Sequence, residues 1–466
     1  MRPTHEIATD IVRRLQGAGH SAFWVGGCVR DFLLGRDPGD YDVATSARPD
    51  DIEKLFKRTI AVGRKFGVMV VVEDKHQFQV ATFRAEADYE DGRRPARVVF
   101  SDAKADALRR DFTVNGLFYD PIARKLHDWV GGEADLRARI IRTIGSPNER
   151  FAEDHLRLLR AVRFAVQLGF DIEPQTFAAI RSTAPKIKAI SAERIRDELI
   201  KLFAPLRFGV PPSGGWGRGS AMPPEGGTPN TPASRGLELL RQTALLEHIL
   251  PEVATTITCE QSPDFHPEGT VFEHLKLMLS HIRPNADPSV PWAVLMHDIA
   301  KPVTASRDPG TGSIHFYEHE KVGADMAENI LRRLRFPRKQ IEEVVKAVRY
   351  HMQFKDAMQM RKSTLRRMLM RETFPLELEL HRLDCLGSHG RLDVYDFLAQ
   401  QAEELKRKPA IRPPLLTGKD LLKLGMKPGP AMGKLLAEIR EKQLQDDLKS
   451  AAAARKWAKT RIKGSP

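Results

Sequence analysis

The chain has 466 residues, 41% hydrophobic and 29% charged, with a formal charge of +13 and a pI near 9.6. That length suggests roughly two to four domains, and the composition is ordinary for a globular protein and excludes a disordered one. No run of about eighteen apolar residues occurs, which excludes a helical membrane span. The opening MRPTHEIATD lacks the apolar core of a secretory signal. Cys28, Cys259 and Cys385 form no CxxC pair, so a reducing cytoplasm is expected rather than a disulfide framework or a thiolate zinc site. The basic balance favours a polyanionic partner, with nucleic acid ahead of a membrane surface.

In chain order, AFWV (22–25), VMVVVED (68–74) and FQVATF (78–83) read as strands, while CVRDFLLG (28–35) and RPDDIEKLF (48–56) read as helices. Pro49 and the acids after it suit the start of the second helix. Residues 1–145 therefore form a mixed α/β unit, and 146–208 turn helical, with Ser191 a plausible N-cap. The stretch 209–236, GVPPSGGWGRGSAMPPEGGTPNTPASRG, holds too little apolar surface to offset its ordering entropy and is expected to be a flexible linker. Helical patterns resume over 237–405, and 406–466 reads as a basic helical tail ending in KWAKTRIKG.

The most informative block is FWVGGCVRDFLLGRDPGDYDVAT. Gly26 and Gly27 follow a strand and open a helix carrying Arg30, an arrangement that lets backbone N–H groups and a guanidinium approach a phosphate. On its own a glycine pair is more often a tight turn. Asp40 and Asp42 follow closely, and in an extended segment residues i and i+2 share a face, so both carboxylates point one way. Paired carboxylates suit Mg²⁺, and two metals held this way serve phosphoryl displacement. A lone D-x-D is usually a solvated loop, but all of these groups occur within 17 residues.

GGCVRD followed by GDYDVAT resembles the signature of the class II tRNA nucleotidyltransferase and bacterial poly(A) polymerase family. The resemblance continues through ALRRDFTVNGLFYDP (107–121), HDWVGGEADLRARIIRTIG (127–145), ERFAEDHLRLLRAVRFAVQLGF (149–170) and SAERIRDELIKLF (191–203). It implies an α+β nucleotidyltransferase head with a polymerase-β-like mixed sheet, followed by an all-α neck. It also implies that Asp40 and Asp42 are the catalytic Mg²⁺ ligands, and that Arg110 and Asp111 hold the phosphates and ribose of the incoming nucleotide. In the neck, Asp154 and Arg157 would offer an acceptor and donors to the base edge of CTP or ATP. Arg160 and Arg163 continue the same three-residue step around the helix and are expected to bind the nucleotide as well, while Leu156, Leu159 and Val166 turn to the core. Away from this context, D-x-x-R is an i,i+3 ion pair on a wet face. The glycines of HDWVGGEADL look like a hinge.

Three activities share this framework: full CCA addition to tRNA, addition of only part of CCA, and poly(A) tailing. AEADYEDGRRPARVVF (85–100) resembles the flexible loop of enzymes that add the terminal A. VGRKFGVMVVV (62–72) is closer to the form of the CCA-adding branch than to that of poly(A) polymerases. CCA addition with CTP and ATP is therefore expected, with A-adding or poly(A) activity the alternative. The oligomeric state is not legible.

The C-terminal half carries His274, His297-Asp298, His319, His351 and Asp384 in helical surroundings. Each histidine alone is more often an ordinary polar residue than a ligand. The ordered set resembles the HD superfamily of metal-dependent phosphohydrolases. That resemblance implies one ion on His274, His297, Asp298 and Asp384, a second helped by His319 and His351, and a phosphate steadied by Lys301. Imidazole and carboxylate together suit Mn²⁺, Co²⁺, Ni²⁺ or Fe²⁺. Phosphohydrolysis through this half is thus a second alternative function.

Overall fold

A computed structural model describes residues 2–89, 95–204, 231–262, 266–407 and 413–463. The chain forms two compact units. The first comprises residues 1–254 with 283–285, and the second 255–282 with 286–466.

The first unit begins with α1 (Thr4–Gly17), whose Ile7, Ala8, Ile11, Val12 and Leu15 recur at helical spacing and are buried. The sequence reading passed over this helix, although its apolar stripe is plain. The strands are β1 (Ala22–Val25), β2 (Val43–Thr45), β3 (Thr59–Gly63), β4 (Val68–Glu73), β5 (His76–Thr82), β6 (Arg84–Tyr89), β7 (Pro95–Phe100), β8 (Phe118–Asp120) and β9 (Lys125–His127). Seven of them form a sheet in the order β3-β4-β5-β2-β1-β8-β9, parallel only between β2 and β5. This is the mixed sheet expected of the head. β6 and β7 pair as a separate hairpin. The expected flexible loop joins them, and its residues 90–94 lie outside the described residues.

β1 sits between β2 and β8, and Val25, Ala44, Phe83, Ala107 and Phe118 form a core beneath it. α2 (Gly27–Leu33) and α3 (Pro49–Leu55) fall where the sequence predicted, with Pro49 in the first turn of α3. α4 (Ala103–Leu108) is capped by Asp102, whose carboxylate accepts from the Ala105 N–H at 2.8 Å. α5 (Gly132–Ala138) starts in the segment read as a hinge. A Cβ on Gly132 would lie 2.2 Å from the Thr113 carbonyl oxygen, so a glycine is required there by close packing.

The neck consists of α6 (Pro147–Glu153), α7 (Leu156–Leu168), α8 (Pro174–Thr183) and α9 (Ala192–Phe203). Two points correct the sequence reading. EDHLRLLR is not one continuous helix, because Asp154 is extended (φ −148°, ψ 107°) and separates α6 from α7. Ser191 stands at the N-cap of α9, but its side chain makes no capping hydrogen bond. The linker expected over 209–236 falls mostly on residues 205–230, outside the described residues. From Pro232, however, the chain is already helical in α10 (Pro232–Gln242). Arg235 donates to the Phe170 carbonyl at 2.7 Å, and a Cβ on Gly236 would come within 3.1 Å of Leu202. Gly236, read as linker from composition, is there so that α10 can lie against α9. α11 (Leu246–Ile249) and α12 (Pro251–Ala254) complete this unit, so the boundary expected at 236/237 falls inside a helix and the units divide near 254.

The second unit contains α13 (Val271–Ser280), α14 (Val290–His297), α15 (Lys301–Thr304), α16 (His319–Arg333), α17 (Arg338–Tyr350), α18 (Lys362–Leu369), α19 (Phe374–Gly387) and α20 (Asp393–Lys406). Every residue of α14 is buried, making it the central helix. The tail forms α21 (Gly418–Lys423), α22 (Pro430–Leu444) and α23 (Ala451–Lys463) around its own core of Leu416, Leu421, Leu435, Ile439 and Leu448. Arg366 on α18 ties the tail down through Asp446 at 2.7 and 3.0 Å and the Leu444 carbonyl at 2.9 Å. Among the described residues, no helix is long and apolar enough to cross a membrane.

Candidate active site and candidate metal centre

In the head, Asp40 and Asp42 lie just before β2 rather than within it. The ladder still reaches them, because the Val25 N–H donates to the Asp42 carbonyl at 3.0 Å. Between them Tyr41 turns inward onto Trp24, with ring centroids 4.8 Å apart. The alternation predicted for D-Y-D is kept in its burial, with Tyr41 buried between the more exposed Asp40 and Asp42. Asp40 is exposed and Asp42 half-buried. Burial, and then the like charge of Asp40, push the Asp42 carboxyl up to about 6. Two hard oxygen donors whose joint ionisation is disfavoured without a counter-cation fit a divalent metal such as Mg²⁺. A proton competes for Asp42 below about pH 6, so the Mg²⁺ concentration giving half-maximal activity should rise as pH falls through 6. Saturating Mg²⁺ should shift the acid limb of the pH profile downward, as Mg²⁺ titrations at several pH values would read out.

Gly26 has φ +73°, and a Cβ there would sit 2.9 Å from Arg110 Nη1. The positive φ favours glycine, and a side chain there would displace the Arg110 guanidinium. Arg30 is buried. Its Nη1 donates to Asn115 Oδ1 at 2.7 Å, its Nε and Nη2 hold Asp31 at 2.9 and 3.0 Å, and its guanidinium lies over Phe164. Arg110 grips Asp106 and donates to the Asn115 carbonyl. Burial of Asp106 opposes its charge, but Arg110 and Arg109 outweigh it and hold the carboxyl low.

Asp111 faces the neck. Its Oδ2 accepts from Arg160 Nε and Nη2 at 2.9 and 2.6 Å, and its Oδ1 from Asn115 Nδ2 at 3.1 Å. Burial would raise this carboxyl, yet Arg160 and Asn115 hold it at about 2. Removing either charge would strand the other, at about 3–5 kcal/mol. Arg160 also approaches Glu198 on α9, which accepts from Arg163 Nε. Arg157 and Arg150 both reach the Arg109 carbonyl, at 3.5 and 3.3 Å, and both bond Glu153. Asp154 Oδ1 accepts from the Leu156 N–H at 3.0 Å and Oδ2 from Arg194 at 2.6 Å.

Of the head and neck residues singled out from sequence, Arg30, Arg110, Asp111, Asp154, Arg157, Arg160 and Arg163 each make an ion pair. Leu156, Leu159 and Val166 are buried as expected. Sequence reasoning missed Asn115, which joins Arg30, Arg110 and Asp111, and also Asp106, Glu153, Arg194 and Glu198. The first lies within RRDFTVNG, where its neutral amide gave no charge signal. The others are ordinary helix-surface acids and bases until the fold pairs them. Cys28 is buried, which pushes its thiol up to about 12 and makes it an inert packing residue.

In the second unit the six predicted ligands converge. His274, His297 and Asp384 bring ligand atoms within 4.8 Å of one another, and so do Asp298, His319 and His351. Asp298 groups with the second trio rather than the first, although its Oδ2 is also 3.1 Å from His297 Nε2. His297, His319 and His351 each turn Nδ1 to a backbone carbonyl, of Val294, Phe316 and Val348, at 2.8, 2.8 and 2.6 Å. With Nδ1 protonated, each Nε2 becomes a lone pair aimed inward. His319 Nε2 and His351 Nε2 are 3.2 Å apart, and His297 Nε2 is buried 3.1 Å from Asp298 Oδ2. Burial, and then His297, push His351 down to about 4, so it is neutral at physiological pH. Burial opposes charge on His274, but hydrogen bonds to Asp384 and Glu268 raise it to about 9. Converging bare imidazole nitrogens beside carboxylates fit a divalent transition metal. Lys301 is not free for a phosphate, because Nζ is bound by Asp298 at 2.7 Å and Gln261 at 2.6 Å.

Comparison with known proteins fits this layout. Residues 22–142 match the Poly A polymerase head domain family, 169–205 the family described as "Probable RNA and SrmB- binding site of polymerase A", and 271–386 the HD domain family. A CCA-adding enzyme of Staphylococcus aureus is 48% identical over 199 residues, which is 42% of this chain and 50% of the relative. The chain therefore spans about half the length of the curated relatives it matches. The crystal structure of the Bacillus stearothermophilus CCA-adding enzyme in complex with CTP superposes with a TM-score of 0.71 at 25% identity, covering 100% of both chains. A Thermotoga maritima CCA-adding enzyme complexed with tRNA shares the fold at 18% identity and a TM-score of 0.55, covering 99% of this chain and 96% of its own.

Proposed function

We propose that this chain, which belongs to the tRNA nucleotidyltransferase and poly(A) polymerase family and carries an HD domain, adds CCA to the 3′ end of tRNA from CTP and ATP without a nucleic-acid template. The observation that carries this reading is the joining of the D-x-D head to the neck through Asp111 and Arg160. Through that pair the groups proposed for the phosphates and those proposed for the base would serve one site. The names of the relatives favour CCA addition over A-only or poly(A) addition. A cytoplasmic location accords with that role.

Asp40 and Asp42 would hold Mg²⁺, which when bound neutralises the triphosphate and activates the attacking hydroxyl. The chain's own residues supply orientation and selection. Arg30 and Arg110, fixed through Asn115, line the glycine turn at Gly26 and Gly27 and would reach phosphate oxygens with the N–H groups that Asp31, Asp106 and Asn115 leave over. Each Asp154 oxygen keeps a second lone pair for the amino group of C or A, and Arg157 can donate to the adjacent ring nitrogen. U and G present a carbonyl and an N–H at those positions, which reverses both hydrogen bonds. Arg160 and Arg163 hold Phe164 and Glu198 beneath this surface. Supplying one labelled nucleotide at a time tests the reading. A tRNA lacking CCA should gain two residues with CTP alone, and a tRNA ending in CC one with ATP alone.

A second activity is favoured by the three inward-facing Nε2 atoms of the HD cluster. His274, His297, Asp298, His319, His351 and Asp384 would hold Mn²⁺, Co²⁺ or Ni²⁺, which supplies a hydroxide nucleophile for phosphoester hydrolysis. Protein purified without chelator should contain a transition metal and hydrolyse a 2′,3′-cyclic nucleotide. Asp298→Ala should lose both properties while CCA addition persists. Absence of metal from the wild type would reduce this half to a scaffold.

A further inference from the structure

Glu268 lies on the segment leading into α13, outside the HD motif. Its Oε1 is 2.6 Å from His274 Nδ1 and 2.9 Å from His266 Nδ1, while its Oε2 is buried with no hydrogen-bond partner among the described residues. The side chain is 9% exposed. It does not cap α13, because Thr270 does so by accepting from the Glu273 N–H. A carboxylate so deeply buried on an imidazole calls for a reason beyond local folding.

We propose that Glu268 is the positioning carboxylate of the HD centre, holding the Nδ1 proton of His274 so that Nε2 is presented as a lone pair to a divalent ion. The inference rests on the reading of that cluster as a metal site. The other three histidines fix their tautomers with neutral backbone carbonyls. His274 Nδ1 likewise makes a hydrogen bond to a carbonyl, that of Gly387 at 3.2 Å, but the Glu268 carboxylate lies closer, at 2.6 Å, and is the stronger acceptor. The His274 ring is enclosed on all sides. It is fully buried, and even a Cβ added at Gly387 would press within 3.2 Å of Cε1. The proton position on His274 is therefore set by hydrogen bonding, and a carboxylate partner makes the ligating nitrogen more basic. His266 packs edge-on against His274, with centroids 4.9 Å apart, and holds Glu268 from its other side. The metal-facing Nε2 of His274 is 3.1 Å from Asp384 Oδ1, so Glu268, His274 and Asp384 form one line from the α13 approach to the centre.

The test uses the full chain with Asp40→Ala and Asp42→Ala, so that the head contributes no metal affinity, and titrates Ni²⁺ by calorimetry. Glu268→Gln, isosteric but able to present an N–H to Nδ1, should weaken Ni²⁺ binding by about 10–100-fold. Its melting temperature in EDTA should match the parent. Glu268→Asp, which keeps a carboxylate, should recover part of the affinity. In the otherwise wild-type chain, CCA addition by Glu268→Gln should be unchanged. Ni²⁺ affinity of Glu268→Gln equal to the parent's would overturn the proposal, as would a lowered metal-free melting temperature with unchanged affinity, which marks a purely structural carboxylate. Failure of the parent itself to bind Ni²⁺ would instead remove the metal reading on which the proposal stands.

Discussion

Asp42→Ala is expected to abolish nucleotide addition, with a loss of about 10⁴-fold or more, because several kcal/mol of metal-dependent transition-state stabilisation would disappear. The same substitution should leave the fold intact. Burial and Asp40 raise the Asp42 carboxyl to about 6, above its unfolded value, so at pH 7–8 without metal its charge costs stability. That cost is absent at low pH, where the group is protonated in both states, and develops as pH rises through the folded value. In EDTA near neutral pH, the alanine variant should thus melt at or above the wild-type temperature. A gel assay of addition and a thermal melt with and without Mg²⁺ give the two readouts. Addition near the wild-type rate would remove the metal assignment, and a lowered melting temperature in EDTA would mean that Asp42 is a structural residue.

The second large effect concerns Arg157. Its replacement by leucine should lower discrimination for CTP and ATP over UTP and GTP by roughly ten- to a hundredfold, the ~1–3 kcal/mol that a good hydrogen-bonding pair to a base edge provides. The contacts to the Arg150 and Arg109 carbonyls and to Glu153 define the competing outcome. If Arg157 only ties the loop before Asp111 to the neck, every nucleotide slows equally. Ratios of kcat/KM for the four nucleotides separate the two, since uniform slowing leaves the ratios unchanged.

Much of this arrangement is legible in the sequence because its signals are local. The strand-glycine-helix turn and D-Y-D need only the two-residue alternation of extended chain, and the structure keeps that alternation even though Asp40 and Asp42 precede β2. The proposed ligands of the HD centre are legible as an ordered set of residue types. What escaped depends on distant pairing. Asn115 carries no charge, yet it organises Arg30, Arg110 and Asp111. The break at Asp154 is hidden because the apolar period runs through it unchanged, while Arg194, forty residues on, supplies its partner. Gly236 reads as linker by composition, and only the close approach of Leu202 gives it a packing role. Lys301 reads as a phosphate ligand by its offset from His297, until Asp298 and Gln261 are found holding it.

The most direct test of the central claim is to give the purified chain a tRNA lacking its last three nucleotides, Mg²⁺ and all four ribonucleoside triphosphates together, and to sequence the 3′ ends formed. Asp40 and Asp42 acting with a base-selecting neck predict products that end in CCA and grow no further. Runs of A, incorporation of U or G at comparable frequency, or tRNA left unextended would contradict it.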